Sequence, residues 1–259
     1  MALTALLLAD AWYVTRGSRT PKMAFKDKEF PIVGKKLERM CAATQDDRAA
    51  VLAAHLTWDM HDARVACFQR LFTCWNPTLI GLVLTAEHLE VDEWWASRPY
   101  RSTIPPCDRA RSTRDFLNVL KIGYLHATTA VVENTLRVLL HALDPSAAKG
   151  GLAEFQSVYS ALLKRLSAKP AEAAALLELW RLGRNTVHNN GAYRHERGQD
   201  RSVSYKGVTY AFRHNHKVNY YGWELLLSLG DDLRQLLREI VSDSAVAALP
   251  APVRDEWAD

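Results

Sequence analysis

The 259 residues are enough to bury a full hydrophobic core, as one large domain or two small ones. Hydrophobic residues make up 48% and charged residues 24%, a globular balance that argues against intrinsic disorder. The net charge is only +4, but between residues 181 and 217 eight Lys or Arg stand against two acidic residues. This basic tract favours an anionic partner such as nucleic acid over a merely solvated surface.

Several functional classes lack their sequence signatures. There is no Gly-rich phosphate loop and no G-x-S-x-G motif, which argues against nucleotide-driven and serine-hydrolase chemistry. The four cysteines have neither disulfide-framework nor zinc-finger spacing, so we expect buried thiols in a reducing compartment. Residues 1–8 are apolar but lack a preceding basic segment, and no later apolar run reaches the ~20 residues of a membrane span. We expect a cytoplasmic protein without a cofactor.

Residues 1–104 are predicted to form an N-terminal helical region of unknown role. Thr44-Gln-Asp-Asp is typical of a capping box, which predicts a helix that begins there and runs towards residue 75. Asn76-Pro77 is predicted to end that helix, and a second helix is expected over residues 77–95. Prolines among Arg, Ser and Thr over residues 97–114 predict a linker, with the domain boundary after residue 104.

Residues 105–259 are predicted to form a four-helix unit that contains a small β-hairpin. Apolar residues at three- and four-residue steps from 117 to 143 predict a long helix. The other three helices are expected at 152–166, 170–188 and 223–241. Alternating residues on either side of Lys206-Gly207 predict the hairpin, near 202–213. The predicted fold class is therefore all-α, with one minor β element.

Arg181, Arg184 and His188 are spaced three and four residues apart, so they share one face of the helix predicted at 170–188. Such a row suits phosphodiester cleavage by the 2′-hydroxyl of RNA. Histidine can exchange a proton near neutral pH, and arginine offers a forked, permanently charged donor set for phosphate oxygens. These residues, with Asn185, are the candidate catalytic group.

The segment Arg184-Asn185-Thr186-Val187-His188-Asn189-Asn190-Gly191, on the third helix of a four-helix unit, resembles the signature helix of HEPN domains. The resemblance covers about residues 113–242. The family pattern is Arg, usually followed by a polar residue, with His after four to six intervening positions. Three residues separate Arg184 from His188 and six separate Arg181 from it, so either arginine remains a candidate for the motif position.

The resemblance implies a metal-independent endoribonuclease, of the kind found among toxins and phage-defence effectors, that leaves 2′,3′-cyclic phosphate ends. It implies that His188 is the general acid or base, that Arg184 and Arg181 hold the scissile phosphate, and that Asn185 orients the substrate. It also implies a homodimer, because the family builds its site from two copies of this helix, and it leaves room for a regulatory protein partner. Glu133, followed by Asn134 and Arg137, is similar to an acidic-then-Arg element of the family, and Glu133 and Asn189 are taken as supporting residues.

The remaining candidates concern RNA and metal contacts. The predicted RNA-binding residues lie in the basic tract or beside it: Arg194, Arg197, Arg213, Lys217 and Tyr220. His195, His214 and His216 raise the alternative of a zinc site, but no Asp, Glu or Cys is placed to complete one, and we predict none.

Simpler explanations stand beside each functional one. His188 and the three residues after it also suit an ordinary helix end, and Glu133 and Arg137 suit an ordinary i,i+4 ion pair. The alternative function is a non-catalytic helical module that binds RNA or a protein.

Overall fold

The computed structural model describes residues 25–97, 105–148, 154–189 and 191–254, with the side chain of His188 outside this description. Within these ranges the chain is mainly helical and has one two-stranded sheet, which confirms the predicted all-α class. The helices are α1 Phe30–Ala54, α2 Ala63–Leu84, α3 Asp92–Ala96, α4 Pro106–Leu143, α5 Pro145–Ala148, α6 Phe155–Leu163, α7 Ala173–His188, α8 Trp223–Ser242 and α9 Ser244–Ala247, and the strands are β1 Arg201–Tyr205 and β2 Val208–Phe212. π-Helical turns occupy Phe25–Glu29 and Thr85–Leu89.

The predicted helix start at Thr44 is wrong. Helix α1 begins at Phe30, so Thr44 lies inside it, and its hydroxyl donates to the Met40 carbonyl at 2.7 Å. Asp47, which also contributed to the capping-box pattern, is buried and pairs with Arg234 of α8. Thr44 therefore bonds within its own helix and Asp47 serves a tertiary contact, and a local pattern distinguishes neither from a cap.

The predicted break at Pro77 is also wrong, because α2 continues through this residue to Leu84. Its N-cap is Asp62, whose carboxylate accepts a hydrogen bond from the Arg64 amide at 3.0 Å. Pro77 is exposed, while Trp75 on the opposite side is fully buried and donates from its indole to Thr128 of α4 at 2.9 Å. Packing of the buried face outweighs the local disruption by proline.

Helix α4 begins earlier than the periodic segment predicted. It starts at Pro106, so residues 106–114 of the predicted linker are helical, and residues 98–104 lie outside the described ranges. Proline is favoured in a first helical turn because its missing amide has no partner there. At the other end the helix stops at Leu143, before Asp144-Pro145, as predicted.

The hairpin forms where it was predicted. Strands β1 and β2 pair antiparallel, with Tyr205 opposite Val208. The two residues of the turn, Lys206 and Gly207, have φ values of 48° and 76°, the left-handed pair that a tight two-residue hairpin requires. A ladder of two short strands is stable only when it packs on other elements, and the buried side chain of Phe212 supplies that packing.

One hydrophobic core joins the segments on both sides of the predicted boundary. At its centre the fully buried ring of Tyr124, on α4, contacts Trp75 of α2 at 6.1 Å between centroids. The same ring contacts Trp180 of α7 at 6.4 Å and Trp223 of α8 at 6.2 Å. The boundary after residue 104 stays a prediction, and the helices on either side of it support one another.

None of the helices in the described ranges is both long enough and apolar enough to cross a membrane.

Candidate functional site

Helix α7 is held rigidly by its apolar face. Leu177, Leu179 and Trp180 of this helix have no measurable solvent exposure, and the Trp180 indole donates to Thr129 of α4 at 2.9 Å. The arginines at 181 and 184 emerge next to this packed face and line a cavity. A rigid helix with one face in the core gives its polar side chains a fixed position, which a binding site needs.

The cavity has a volume of about 690 Å³. Its walls come from α4, the start of α6, α7, and the segment that leads into β1. Arginines outnumber glutamates five to three in its lining: Arg181, Arg184, Arg194, Arg197 and Arg201 against Glu133, Glu154 and Glu196. A concave surface with excess positive charge attracts anionic ligands. The predicted residues Arg181, Arg184, Asn185, Arg194, Arg197 and Glu133 are therefore brought together here.

Arg181 is already engaged by an acidic partner. Its Nε and Nη2 atoms donate to the two carboxylate oxygens of Glu178, each at 2.8 Å, and the Tyr159 hydroxyl donates to the same carboxylate at 2.7 Å. Burial acts to raise the pKa of Glu178, but the hydrogen bonds from Arg181 and Tyr159 outweigh it and lower that pKa. The Arg181 charge is therefore largely compensated within the wall of the cavity.

Arg184 is in a different electrostatic position. Its Nη1 lies 3.3 Å from Oδ1 of Asn185, and no carboxylate pairs with it among the described residues. Its Nε–H is buried and has no hydrogen-bond partner in that part of the chain. A buried donor without a partner costs about 1–3 kcal/mol, and a ligand that accepts its hydrogen bond would remove that cost. Of the two candidate arginines, Arg184 is therefore the one without a carboxylate partner within the described ranges.

The end of α7 forms as the sequence predicts. The helix stops at His188, and Asn189 donates from its side-chain amide to the Asn185 carbonyl at 3.1 Å. Gly191, with a φ of 80°, donates its amide to the Thr186 carbonyl at 2.8 Å. A glycine in this left-handed position is a common way to close a helix. The acid or base role of His188 concerns a side chain outside the description and stays a prediction.

Glu133 and Arg137 form the ion pair that their spacing suggests. Nη2 of Arg137 lies 2.5 Å from Oε1 of Glu133, and both side chains are partly exposed. Glu133 also lines the cavity, so the pair contributes to one of its walls. Both readings of Glu133 from the sequence, a surface ion pair and a supporting group near the arginines, are compatible with this position.

Three predicted RNA-binding residues do not line this cavity: Arg213, Lys217 and Tyr220. Lys217 forms an isolated backbone bridge with Ala192, and Arg213 is exposed just after β2. The ring of Tyr220 packs between Phe212 and Tyr221, at 5.8 and 5.2 Å between centroids, and its hydroxyl donates to the Ala211 carbonyl. Its ring is therefore a packing element of the hairpin, and its contact with RNA stays a prediction.

The histidines of the basic tract are held by hydrogen bonds within the loop. The backbone amide of His195 donates to Nδ1 of His214 at 3.1 Å, and Nδ1 of His216 lies 2.9 Å from the His214 carbonyl. Within the described ranges no three His, Cys, Asp or Glu side chains come together as metal ligands. These imidazole contacts account for the clustering that raised the zinc alternative.

His195 itself lines the cavity, which the sequence analysis did not predict. Its Nδ1 faces the Arg197 amide at 3.2 Å, and its Nε2 faces Nη2 of Arg201 at 3.4 Å. A neutral imidazole has a lone pair on only one ring nitrogen, so at most one of these contacts is a hydrogen bond. The ring therefore contacts both the Arg197 backbone and the Arg201 side chain in the wall of the cavity.

Three further residues at or beside the cavity were not predicted from the sequence: Glu178, Tyr193 and Arg201. Glu178 could have been recognised, because a carboxylate three residues before Arg181 on a helix is a standard ion-pair spacing. Arg201 and Tyr193 reach the cavity only because residues 193–201 fold back beside α7. No local pattern in the sequence indicates that contact.

Comparisons of the chain with family models, with curated proteins and with solved structures find no match.

Proposed function

We propose that this protein is a metal-independent endoribonuclease whose substrate phosphates enter the cationic cavity beside α7. The environment of Arg184 is the observation that carries the proposal. Its guanidinium is partly buried in the lining of a cavity rich in arginine. Among the described residues its Nε–H has no hydrogen-bond partner and its charge has no acidic partner. A phosphate diester carries a negative charge that would pair with this guanidinium and oxygens that would accept its hydrogen bonds. The resemblance of residues 113–242 to HEPN domains supports the same chemistry.

The proposed reaction is attack of the RNA 2′-hydroxyl on the adjacent phosphorus, with expulsion of the 5′-oxygen. His188 accepts the 2′ proton or donates a proton to the leaving oxygen. Arg184 donates to the non-bridging oxygens, where negative charge accumulates in the transition state. Asn185, whose Oδ1 lies beside Nη1 of Arg184, orients that guanidinium or the 2′-hydroxyl. The products are a 2′,3′-cyclic phosphate and a 5′-hydroxyl.

The resemblance adds two further proposals. Because the family builds its site from two copies of the motif helix, we propose a homodimer, which light scattering at micromolar concentration tests. A strict monomer that cleaves RNA would contradict the two-helix site. A role as a toxin or a phage-defence effector follows from the family alone, and growth arrest on expression of active protein tests it.

The test of the proposed function is incubation of purified protein with end-labelled RNA in EDTA. We expect cleavage to persist and the products to carry 2′,3′-cyclic phosphate and 5′-hydroxyl ends. His188→Ala should reduce the rate by at least ~10²-fold, as for loss of an acid or base. The circular dichroism spectrum and the elution volume of His188→Ala should match those of the wild type, which shows that the variant is folded.

The outcomes separate the two functions. If His188→Ala cleaves like the wild type, the activity belongs to a contaminant and the enzyme proposal fails. If the chain binds RNA in this cavity but never cleaves it, the non-catalytic RNA-binding module is correct. Products with 5′-phosphate ends, or a reaction that stops in EDTA, would instead indicate metal-activated water.

A further inference from the structure

Among the described residues that line the cavity, Tyr193 also has a buried polar atom without a partner. The hydroxyl of Tyr193 is buried, with the residue only 3% exposed, and it makes no hydrogen bond within the described part of the chain. The Arg201 guanidinium approaches this hydroxyl but lies outside hydrogen-bond geometry. Burial raises the pKa of Tyr193, so the group stays a neutral donor near neutral pH.

The start of α6 lines the same cavity. Glu154, Phe155 and Gln156 all belong to the lining, and the Glu154 side chain makes no capping hydrogen bond. The first amides of a helix have no partner within the helix, and they carry the positive end of its dipole. An uncapped helix start on a cavity is a site for a phosphate or another anion.

Tyr193 and α6 line the same cavity and are connected through a chain of neighbouring groups. The Tyr159 hydroxyl of α6 donates to Glu178, which holds Arg181, and the charges of Arg181 and Glu178 both act on the Tyr193 hydroxyl. The Arg181–Glu178 pair therefore connects α6 with the surroundings of Tyr193. Arg201 is exposed, and its Nη2 contacts Nε2 of His195 at 3.4 Å, a long contact that an arriving anion can replace.

We infer that Tyr193, Arg201 and the start of α6 form a second phosphate subsite, so that the cavity takes two successive phosphates of one RNA strand. This inference rests on the proposed function and specifies its substrate contacts. Tyr193 donates its hydroxyl to the second phosphate. Because the hydroxyl is covered, the exposed Arg201 side chain turns towards the arriving anion and opens access to it. Tyr193 is a positioning residue, and Arg184 remains the group at the scissile phosphate.

The test is competition by two small probes against a fluorescent, fully 2′-O-methylated RNA, which cannot be cleaved by its own 2′-hydroxyl. A nucleoside 3′,5′-bisphosphate should compete at least ~10-fold better than the 3′-monophosphate in the wild type, since a charge-assisted hydrogen bond contributes about that factor or more. Tyr193→Phe should reduce this preference to about threefold or less and leave the monophosphate affinity unchanged. Tyr210→Phe, which alters a tyrosine outside this cavity, is the matched control and should behave like the wild type.

A second variant and a stability measurement exclude a structural explanation. Gln156→Glu places a carboxylate in the first turn of α6, which favours the helix but repels phosphate. It should also abolish the bisphosphate preference, with an unchanged or raised Tm. Tyr193→Phe removes an unpartnered buried hydroxyl, so its Tm without ligand should be equal to or higher than that of the wild type.

The second subsite is refuted if the wild type shows no preference for the bisphosphate, or if Tyr193→Phe keeps the full preference. It is also refuted if the Tm of Tyr193→Phe falls together with its affinity for both probes. Failure of the proposed function looks different. A protein that prefers the bisphosphate through Tyr193 but does not cleave RNA has the subsite without the nuclease. A protein that cleaves RNA without that preference is the nuclease without the subsite.

Discussion

Replacement of Gly183 by alanine should destabilise the protein, although alanine is the better helix former. Gly183 lies on α7 between the two candidate arginines. A methyl group there would come within 2.4 Å of Cζ and 2.6 Å of Cε1 and Oη of Tyr221. The ring of Tyr221 is 5% exposed, and its hydroxyl donates to the Leu179 carbonyl at 2.6 Å. The ring must therefore move, and α7 loses a contact that holds it.

The size of the effect follows from three contributions. Overpacking typically costs about 1–3 kcal/mol, and the lost hydrogen bond about 1 kcal/mol. Better helix propensity returns about 1 kcal/mol. We therefore expect Gly183→Ala to lower the free energy of unfolding by ~1–3 kcal/mol. The control is Gly123→Ala in α4, where a methyl group meets no atom within 4 Å, so only the propensity gain of up to ~1 kcal/mol remains.

Urea unfolding followed by circular dichroism measures both variants. The midpoint should fall for Gly183→Ala and rise or stay constant for Gly123→Ala, with unchanged slopes. Tyr221→Ala should remove the clash, so the double variant should be less destabilised than the sum of the two single ones. If Gly183→Ala is as stable as Gly123→Ala, the close approach of Tyr221 to α7 is refuted.

Two further predictions concern charged groups away from the cavity. Arg64 and Asp62 are both fully buried, and their side chains form an ion pair at 2.6 Å. Arg64→Met should leave the Asp62 carboxylate without this partner and lower the free energy of unfolding, measured by chemical denaturation, by about 3–5 kcal/mol. A loss under about 1 kcal/mol would contradict this. Hydrogen bonds from Ser146 and Arg165 hold the pKa of Asp144 well below its ordinary 3.8, so this carboxylate stabilises the fold above that value, and the stabilisation is lost as pH falls towards the folded-state pKa. Asp144→Asn should therefore flatten the acid limb of the stability–pH curve, and a curve as steep as that of the wild type would show that Asp144 is not the group responsible.

The sequence predicted well those elements whose signals are local. The helix expected at 223–241 and the turn at Lys206-Gly207 each depend on residues close together in the chain, and the structure confirms both. Prediction from the sequence failed where a side chain pairs with a residue that is distant in the chain. Thr44 and Asp47 have the spacing of a cap, but the Asp47 carboxylate pairs with α8, 187 residues away.

The candidate site was also predictable from the sequence only in part. The row of Arg181 and Arg184 is visible in the sequence, and so is the i,i+3 partner Glu178. What is not visible is the difference in environment, because Arg181 is held on both carboxylate oxygens of Glu178, whereas the Nε–H of Arg184 is buried with no partner among the described residues. Such contacts follow from the tertiary fold, so the choice between the arginines required the structure.

The most direct test of the account compares Arg184 with Arg181 in RNA cleavage. Because Arg181→Ala would leave Glu178 uncompensated in the cavity wall, the matched variant is Glu178→Gln with Arg181→Gln, which removes the pair without changing the net charge. We predict that Arg184→Ala lowers kcat/KM by at least ~10²-fold, that Arg184→Lys restores little because a point charge does not replace a fork, and that the paired variant stays within ~10-fold of the wild type. If Arg184→Ala cleaves normally and the paired variant is inactive, then Arg181 holds the phosphate and the central claim is wrong.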